Sequence, residues 1–289
     1  GDTYIVPAHI LEGVADPNTA EFNTKSPVGT GPFKFASRVA GDHLVLRANE
    51  GYPGPPPALE RVIFKYIPDL TVLYTQFKTG AVDVTGMQGI SAEFFGEAKA
   101  LPGITLHQHA TPSVEYIYFN HGKPQFKEVA VRQALYAAVD KKAIIDQIYY
   151  GIHKPVEGYL PATSWAYNAD LPKQEYNPEK AKQILEESGW KVGSDGIRAK
   201  NGVRLSFTNS TTAGNKLREQ TQALVQQSWK AIGVDMQINN MPAPVVWGEY
   251  YVKSKYESLL VGIQATIGGD PDCLNRIHSK YIPAKSGSG

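Results

Sequence analysis

A turn rich in carboxylates follows an apolar run near the end of the chain. The sequence GGDPD occupies residues 268–272, shortly after the apolar run LLVGI at residues 259–263. Binding residues gather in loops at strand ends, so Asp270 could hold a cation or the hydroxyls of a ligand. An aspartate in such a turn can equally accept a hydrogen bond from nearby backbone and simply close the loop. Both interpretations of Asp270 remain open.

A second candidate site is a loop of small polar residues, NSTTAGN at residues 209–215. It lies between an expected strand at 205–208 and an expected helix. Asn209 and Ser210 could meet a polar or anionic group there, helped by the N-terminus of the helix. Helix capping explains the same residues nearly as well. Trp247 could stack on a ligand or pack in the core, and core packing is the more common fate of a tryptophan.

Motifs for metal, phosphate and hydrolytic chemistry are weak or missing. His107 and His109 would share one side of a strand, but no third ligand is evident nearby, which favours an exposed strand face. The segment VGTGPF at residues 28–33 lacks the pattern of a nucleotide-binding loop and predicts a turn with glycines at positive φ. No G-x-S-x-G, H-E-x-x-H or C-x-x-C pattern occurs. The sequence predicts no catalytic residue, no metal and no cofactor.

The charge balance points away from nucleic acid. The 289 residues include 29 Lys and Arg against 28 Asp and Glu, a formal net charge of +1, and the basic residues are scattered. Nucleic-acid-binding proteins usually carry a basic excess or stripe, so no nucleic-acid partner is expected. No apolar run is long enough to cross a bilayer. The single cysteine, Cys273, allows no internal disulfide.

The hydrophobic spacing predicts an α/β fold. Alternating runs at 33–39 and 43–47 predict a hairpin. A strand at 61–67, a helix capped by Asp69 and ending at Gly80, and a strand at 81–85 would make a βαβ unit. A buried strand is expected at 116–120. Further helices are expected from about residue 131 to Gly151, from Asn177 to Gly189, and from about 215 to 233, with strands at 234–238 and 259–263.

Several of these stretches occur together in an order that is typical of one family. They are VGTGPF at 28–33, FKYIPD at 64–69, LYTQFKTGAVD at 73–83, FKEVAVRQALYAAVDKKAI at 126–144, YNPEKAKQILEESGW at 176–190 and GVDMQ at 233–237. In this set the chain resembles the family 5 extracellular solute-binding proteins of ABC transporters, the dipeptide- and oligopeptide-binding group. The resemblance covers essentially the whole chain.

The resemblance implies a two-lobed, periplasmic-binding-protein-like (type II) fold with mixed sheets flanked by helices, incomplete at both ends. Residues 1–116 would be part of lobe I and residues 117–289 lobe II, with an inter-lobe crossing strand at 116–120. A ligand would be bound between the lobes by hinge closure. The expected ligand-binding set includes two hinge-adjacent residues and five cleft-facing ones: Phe119 and Asn120, then Asn209, Ser210, Trp247, Gln264 and Asp270.

The same resemblance implies partners and a location. The membrane subunits of an ABC importer would receive the ligand, and N- and C-terminal segments of the same protein would complete the lobes. The protein would be periplasmic or extracellular.

One departure from the family pattern bears on the ligand. In dipeptide-binding relatives an aspartate just before a GDPD-like run meets the amine of the ligand; that position here is Ile267, and Gln264 replaces the usual tryptophan before it. An ammonium desolvated against isoleucine would stay unpaired, so ordinary recognition of a peptide amine is not expected. Peptides, opines, oligosaccharides and metal chelates remain open as ligands. A hydrolase of peptides or glycosides, or a chaperone-like peptide-binding module, is the alternative function.

Overall fold

The computed structural model describes residues 6–23, 25–85, 89–108, 113–264, 272, 274 and 278–282. It divides into two compact units, residues 2–68 and residues 69–289. The lobe boundary near residue 117 stays a prediction.

Residues 2–68 are built on a three-stranded antiparallel sheet. The strands β1 (Phe33–Val39), β2 (His43–Ala48) and β3 (Arg61–Lys65) lie in the order β1-β2-β3. The predicted hairpin is confirmed: Val39 pairs with His43 across a turn in which Gly41 has a φ of 77°. A short helix α1 (Ala8–Leu11) and 3-10 turns at Pro17–Thr19 and Glu21–Asn23 precede the sheet. Gly29 and Gly31 are not at positive φ, so that part of the expectation for the VGTGPF turn is wrong.

The second unit begins with helix α2 (Leu70–Lys78), whose N-cap is the predicted one. The Asp69 carboxylate accepts hydrogen bonds from the backbone N–H groups of Thr71 and Val72. The strand expected at 81–85 is absent. The N–H groups of Ala81 and Val82 bond back to the carbonyl of Gln76 at 2.8 and 3.2 Å, so the helix end uses the donors that a sheet would need. A 3-10 turn at Ala92–Phe94 then leads into α3 (Phe95–Ala100).

A mixed four-stranded sheet forms the centre of this unit. Its strands are β4 (Ser113–Phe119), β8 (Ser206–Ser210), β9 (Asp235–Ile238) and β10 (Ser258–Gln264), in the order β4-β10-β8-β9. Strands β8, β9 and β10 run parallel to one another, and β4 is antiparallel to β10. A separate small sheet contains β5 (Lys191–Val192), β6 (Arg198–Lys200) and β7 (Val203–Arg204).

The helices of this unit are α4 (Val129–Ala137), α5 (Lys141–Ala143), α6 (Pro178–Glu187), α7 (Lys216–Lys230) and α8 (Ala243–Val245). A 3-10 turn at Pro124–Phe126 precedes α4, and another lies at Ser279–Tyr281. The π-helical turns Ile144–Ile148 and Val246–Tyr250 continue α5 and α8. The helix expected from residue 131 to Gly151 is divided, because the Asp140 carboxylate accepts from the Ala143 N–H and starts a new helix. Asn177 caps α6 as predicted, and Asn215 caps α7, which begins where the sequence predicted a helix start.

Apolar side chains cover both faces of the central sheet. On one face the largest core contains Phe126, Leu135, Leu185, Phe207 and Trp229, where α4, α6 and α7 pack. On the other face Val246 and Tyr256 pack against Leu259 and Val261 of β10. Within the described residues, none of the helices combines the length and apolar composition needed to cross a bilayer.

Candidate functional site

The carboxyl ends of the parallel strands meet at one edge of the central sheet. Strand β8 ends at Ser210, β9 at Ile238 and β10 at Gln264. Gln264 pairs with Ser113, so the beginning of the antiparallel strand β4 lies at the same edge. In open α/β sheets ligands bind outside the carboxyl ends of the strands, which makes this edge the candidate site.

Two loops at this edge, residues 211–215 after β8 and 239–242 after β9, are bonded to each other. The Ala213 N–H donates to the Met241 carbonyl at 2.8 Å, and the Met241 N–H donates to the Thr211 carbonyl at 3.1 Å. The Asn240 side-chain oxygen accepts from the Thr211 N–H at 3.0 Å. The Thr211 hydroxyl donates to the Leu260 carbonyl at 2.6 Å, which ties the first loop to β10.

An ion pair crosses the sheet at this edge. Arg218, in the first turn of α7, donates from Nε and Nη2 to the two carboxylate oxygens of Glu115 on β4, at 2.9 and 2.8 Å. Arg218 Nη1 donates to the Thr212 hydroxyl at 3.0 Å. Gly262 of β10 pairs with Glu115 and lies beneath the ion pair. A Cβ at Gly262 would overlap the Glu115 carboxylate and come within 2.9 Å of Arg218 Nη2, so a larger residue there would displace the ion pair.

Two aromatic side chains lie beside the ion pair. Burial and the Glu115 carboxylate raise the pKa of Tyr149 to about 12. A hydrogen bond with Thr221 and the charge of Arg218 partly oppose this rise. The imidazole of His153 packs edge-on against the Tyr149 ring, with 5.0 Å between centroids. Desolvation lowers the pKa of His153, and the nearby Glu115 carboxylate opposes that shift. The neighbourhood of Glu115 therefore holds one ion pair beside a phenol and an imidazole that both favour the neutral form.

Asn209 and Ser210, expected to face a ligand, are both buried. The Asn209 amide donates to the Ser258 hydroxyl at 2.7 Å and accepts from Gln222 of α7 at 2.8 Å. The Ser210 hydroxyl lies 3.5 Å from the Tyr250 hydroxyl on the opposite face. Protein partners thus engage both side chains, and contact of either residue with a ligand stays a prediction.

Phe119 and Asn120 lie at the opposite edge of the sheet. Phe119 pairs with Ser258 at the beginning of β10, and its ring contacts those of Phe126 and Trp229. The Asn120 amide donates to the carbonyls of Ser254 and Tyr256, both at 2.9 Å. These contacts fix the end of β4 to the start of β10. A hinge or ligand role for either residue stays a prediction.

The structure describes only some of the remaining predicted site residues. Trp247 lies in the π-helical turn, 37% exposed, with its ring 5.5 Å from that of Tyr251 in an edge-on contact. Gln264 ends β10. Asp270 lies outside the described residues, as do Ile267 and His109. Among the residues that the structure does describe, no three His, Cys, Asp or Glu side chains are close enough to hold a metal ion.

Sequence reasoning identified the loop that contains Thr212 but missed Glu115 and Arg218. Glu115 is a charged residue in the otherwise largely apolar segment SVEYIYF, and that interruption was the available signal. Its partner lies 103 residues away in the chain, so only the fold reveals the pair.

Comparisons with known proteins agree with this architecture. Residues 2–282 match the model of the family described as bacterial extracellular solute-binding proteins, family 5. The chain is 38% identical over 244 residues to oligopeptide-binding protein AppA of Bacillus subtilis, covering 81% of this chain and 44% of that protein. It is 33% identical over 250 residues to heme-binding protein A of Haemophilus influenzae, covering 85% of this chain and 43% of that protein. The chain therefore spans less than half the length of these curated relatives.

Solved structures give the same result for the fold. The structure of Bacillus subtilis AppA in complex with a nonapeptide matches with a TM-score of 0.90 at 33% identity, over 97% of this chain and 56% of that one. The structure of NikZ from Campylobacter jejuni in complex with Ni(L-His) matches with a TM-score of 0.85 at 27% identity, over 98% and 55%. The expected type II periplasmic-binding-protein fold is confirmed. The chain belongs to the bacterial extracellular solute-binding proteins of family 5.

Proposed function

We propose that this chain is part of an extracytoplasmic receptor that captures an oligopeptide and delivers it to an ABC importer. The observation that carries the proposal is the backbone match to AppA with its nonapeptide, at a TM-score of 0.90 over 97% of this chain. Other relatives carry names that refer to heme or nickel. These ligand classes serve as the alternatives in the experiment below.

The chemistry of the candidate edge supports a peptide. Loops 211–215 and 239–242 offer backbone groups and small polar side chains. We propose that Trp247, which is 37% exposed, adds a flat apolar surface to the ligand site. Peptide backbones need alternating donors and acceptors, and aromatic rings accept many side chains without demanding one. Such a surface would suit a ligand whose backbone is constant and whose side chains vary.

The mechanism we propose is hinge closure around the ligand. A ligand that contacts both lobes stabilises the closed form, and it shifts the population only by its difference in affinity for the two forms. The membrane subunits of the importer would then recognise the closed receptor on the periplasmic or extracellular side. No covalent chemistry takes part in this cycle.

The amine of the peptide should contribute little to affinity. Ile267 occupies the position where dipeptide-binding relatives place an aspartate, so the ammonium would gain no ion pair there. N-terminal acetylation of a bound peptide should change its Kd less than about threefold, whereas loss of a charge-assisted bond would cost roughly tenfold or more. A loss of tenfold or more on acetylation would show that another carboxylate recognises the amine.

The full-length gene product tests the proposal directly. Native mass spectrometry should detect retention of peptides from an equimolar random mixture of two to nine residues, and calorimetry on the retained lengths should give saturable binding. Nickel–histidine, haem and maltohexaose are tested in parallel, and binding of any of these without peptide binding would refute the proposal. Cleavage of the peptides or maltohexaose during incubation would instead identify a hydrolase. Preference for an unfolded protein over short peptides would identify a chaperone-like module.

Trp247 can be tested in the same assay with a matched control. Trp247→Ala should weaken peptide binding, whereas Trp165→Ala, at a tryptophan that is 80% exposed, should not. An aromatic contact in a binding site contributes about 1–3 kcal/mol, so the expected change in Kd is roughly tenfold. Equal affinity of the Trp247 variant and the wild type would remove this residue from the site.

A further inference from the structure

We infer that Arg218 is a positioning residue that holds the two loops of the candidate site, 211–215 and 239–242, in a fixed arrangement against β4. The inference rests on the proposed function in one respect, because it assigns these loops to a peptide site. It concerns how the site is kept in shape, and Arg218 itself need not contact the ligand.

The first step is the reach of Arg218. Its guanidinium bonds to Glu115 on β4 through two nitrogens and to Thr212 in the first loop through the third. Thr212 also forms a parallel bridge with Met241 of the second loop. One side chain therefore connects an outer strand of the sheet to both loops.

The second step is the fixed geometry of the connection. Arg218 is buried, and each of its three bonds is between 2.8 and 3.0 Å long. The planar fork of arginine suits a carboxylate in a bidentate arrangement, and a lysine ammonium cannot reproduce all three directions. The glycine at position 262 leaves room for the pair directly above β10. The contact thus depends on three residues far apart in the sequence: an arginine, a glutamate and a glycine.

The third step is what the loops would lose without it. The remaining bonds between the loops involve mainly backbone groups, such as Ala213 N–H to the Met241 carbonyl and Met241 N–H to the Thr211 carbonyl. The Thr211 hydroxyl would still tie the first loop to Leu260, but Thr212, and through it the second loop, would lose the side-chain connection to β4. Backbone bonds in partly exposed loops open more readily when fewer side chains hold them. A site whose loops fluctuate also binds more weakly, because ligand binding must then order them.

The experiment uses the full-length gene product and two pairs of variants. Arg218→Lys keeps the charge and loses the fork, and its control is Arg204→Lys at the Arg204–Asp195 ion pair, which lies elsewhere in the chain. Thr212→Val removes the acceptor at nearly constant shape, and its control Thr212→Ser keeps the hydroxyl. Hydrogen exchange is followed at the amides of Ala213 and Met241, with the amide of Val225 inside α7 as the reference for global stability.

We expect Arg218→Lys and Thr212→Val to speed exchange at both loop amides by roughly tenfold more than at Val225, with both control variants close to the wild type. For a peptide that the wild type binds, the same two variants should raise the Kd and leave it unchanged in the controls. A purely general loss of stability would instead speed exchange at Val225 as much as at the loop amides. That result, or loop exchange within twofold of the wild type, would overturn the inference.

The outcomes also separate this inference from the proposed function. If the wild type retains no peptide from the random mixture, the proposed function fails, and exchange in the ligand-free protein still decides whether Arg218 orders the loops. If peptides bind and the loops loosen but the Kd does not change, the proposed function stands and the positioning role is refuted.

Discussion

The ion pair between Glu115 and Arg218 should respond unequally to the loss of its two partners. The Arg218 side chain is 9% exposed and that of Glu115 is 40% exposed. A charge left without its partner costs most where water cannot reach it. Glu115→Gln should therefore destabilise the unit more than Arg218→Met, although both substitutions remove the same ion pair.

The burial of each partner sets the expected magnitudes. Glu115→Gln leaves a buried guanidinium with a weak amide acceptor and Thr212, at a cost of about 3 kcal/mol, the lower end for a broken buried pair. Arg218→Met leaves a carboxylate that water can reach, which costs about 1 kcal/mol, and the lost bond to Thr212 adds about 0.5 kcal/mol. Methionine also fills much of the space of the arginine stem. The difference of about 1.5 kcal/mol corresponds to roughly tenfold in the opening equilibrium.

Native-state hydrogen exchange of the amides in β10 measures this difference within the unit itself. The variant carrying both Glu115→Gln and Arg218→Met should be about as stable as Arg218→Met alone, because no buried charge remains to be penalised. Equal costs for the two single variants would mean that burial does not control the energetics of the pair. A larger cost for Arg218→Met would show that the packing and hydrogen bonds of the arginine dominate instead.

Three further predictions concern the same sheet and the surroundings of its ion pair. Gly262→Ala should cost about 2–3 kcal/mol of unfolding free energy, because the added methyl group overlaps the Glu115 carboxylate. The control Gly248→Ala, where a Cβ meets nothing within 4 Å, should cost far less. Equal shifts in the melting temperature of the two variants would contradict this prediction. Asn209→Ala should cost about 2 kcal/mol in chemical denaturation, because it leaves buried polar partners unsatisfied, and a neutral effect would argue that the network is dispensable. The phenol of Tyr149, with its pKa raised to about 12, stabilises the fold fully below pH 10, and this contribution should disappear as the pH rises from 10 to 12. Tyr149→Phe should flatten the stability–pH curve in that range, and an unchanged slope would refute the assignment.

Local sequence patterns predicted the elements whose determinants are local. The hairpin at 33–48 follows from alternation and a short turn, and the helices beginning after Asp69, Asn177 and Asn215 follow from capping side chains within three residues of the bonded N–H groups. The strand expected at 81–85 failed because the preceding helix end captures its backbone donors. Alternation alone cannot reveal that competition.

The candidate site was harder to predict, because burial and long-range pairing decide which polar residues face outward. Asn209 and Ser210 follow the expected pattern of a polar strand end, yet α7 and the segment around Tyr250 engage them. Glu115 and Arg218 are separated by 103 residues and share no local motif. The sequence therefore predicted that the site lies at this edge of the sheet, but it did not predict which side chains face outward there.

The use of polar side chains at this edge bears on the type of ligand. Thr211 and Arg218 donate their hydrogen bonds to protein partners, and the Glu115 carboxylate is paired through both oxygens. Because these side chains are already bonded within the protein, they give the described part of this edge a fixed shape and are less able to select one charged ligand. A peptide at this edge, as proposed above, would be held largely through backbone groups, which all peptides share. The ordering of the loops by the ion pair and the proposed recognition of a peptide backbone thus depend on the same arrangement of side chains at this edge.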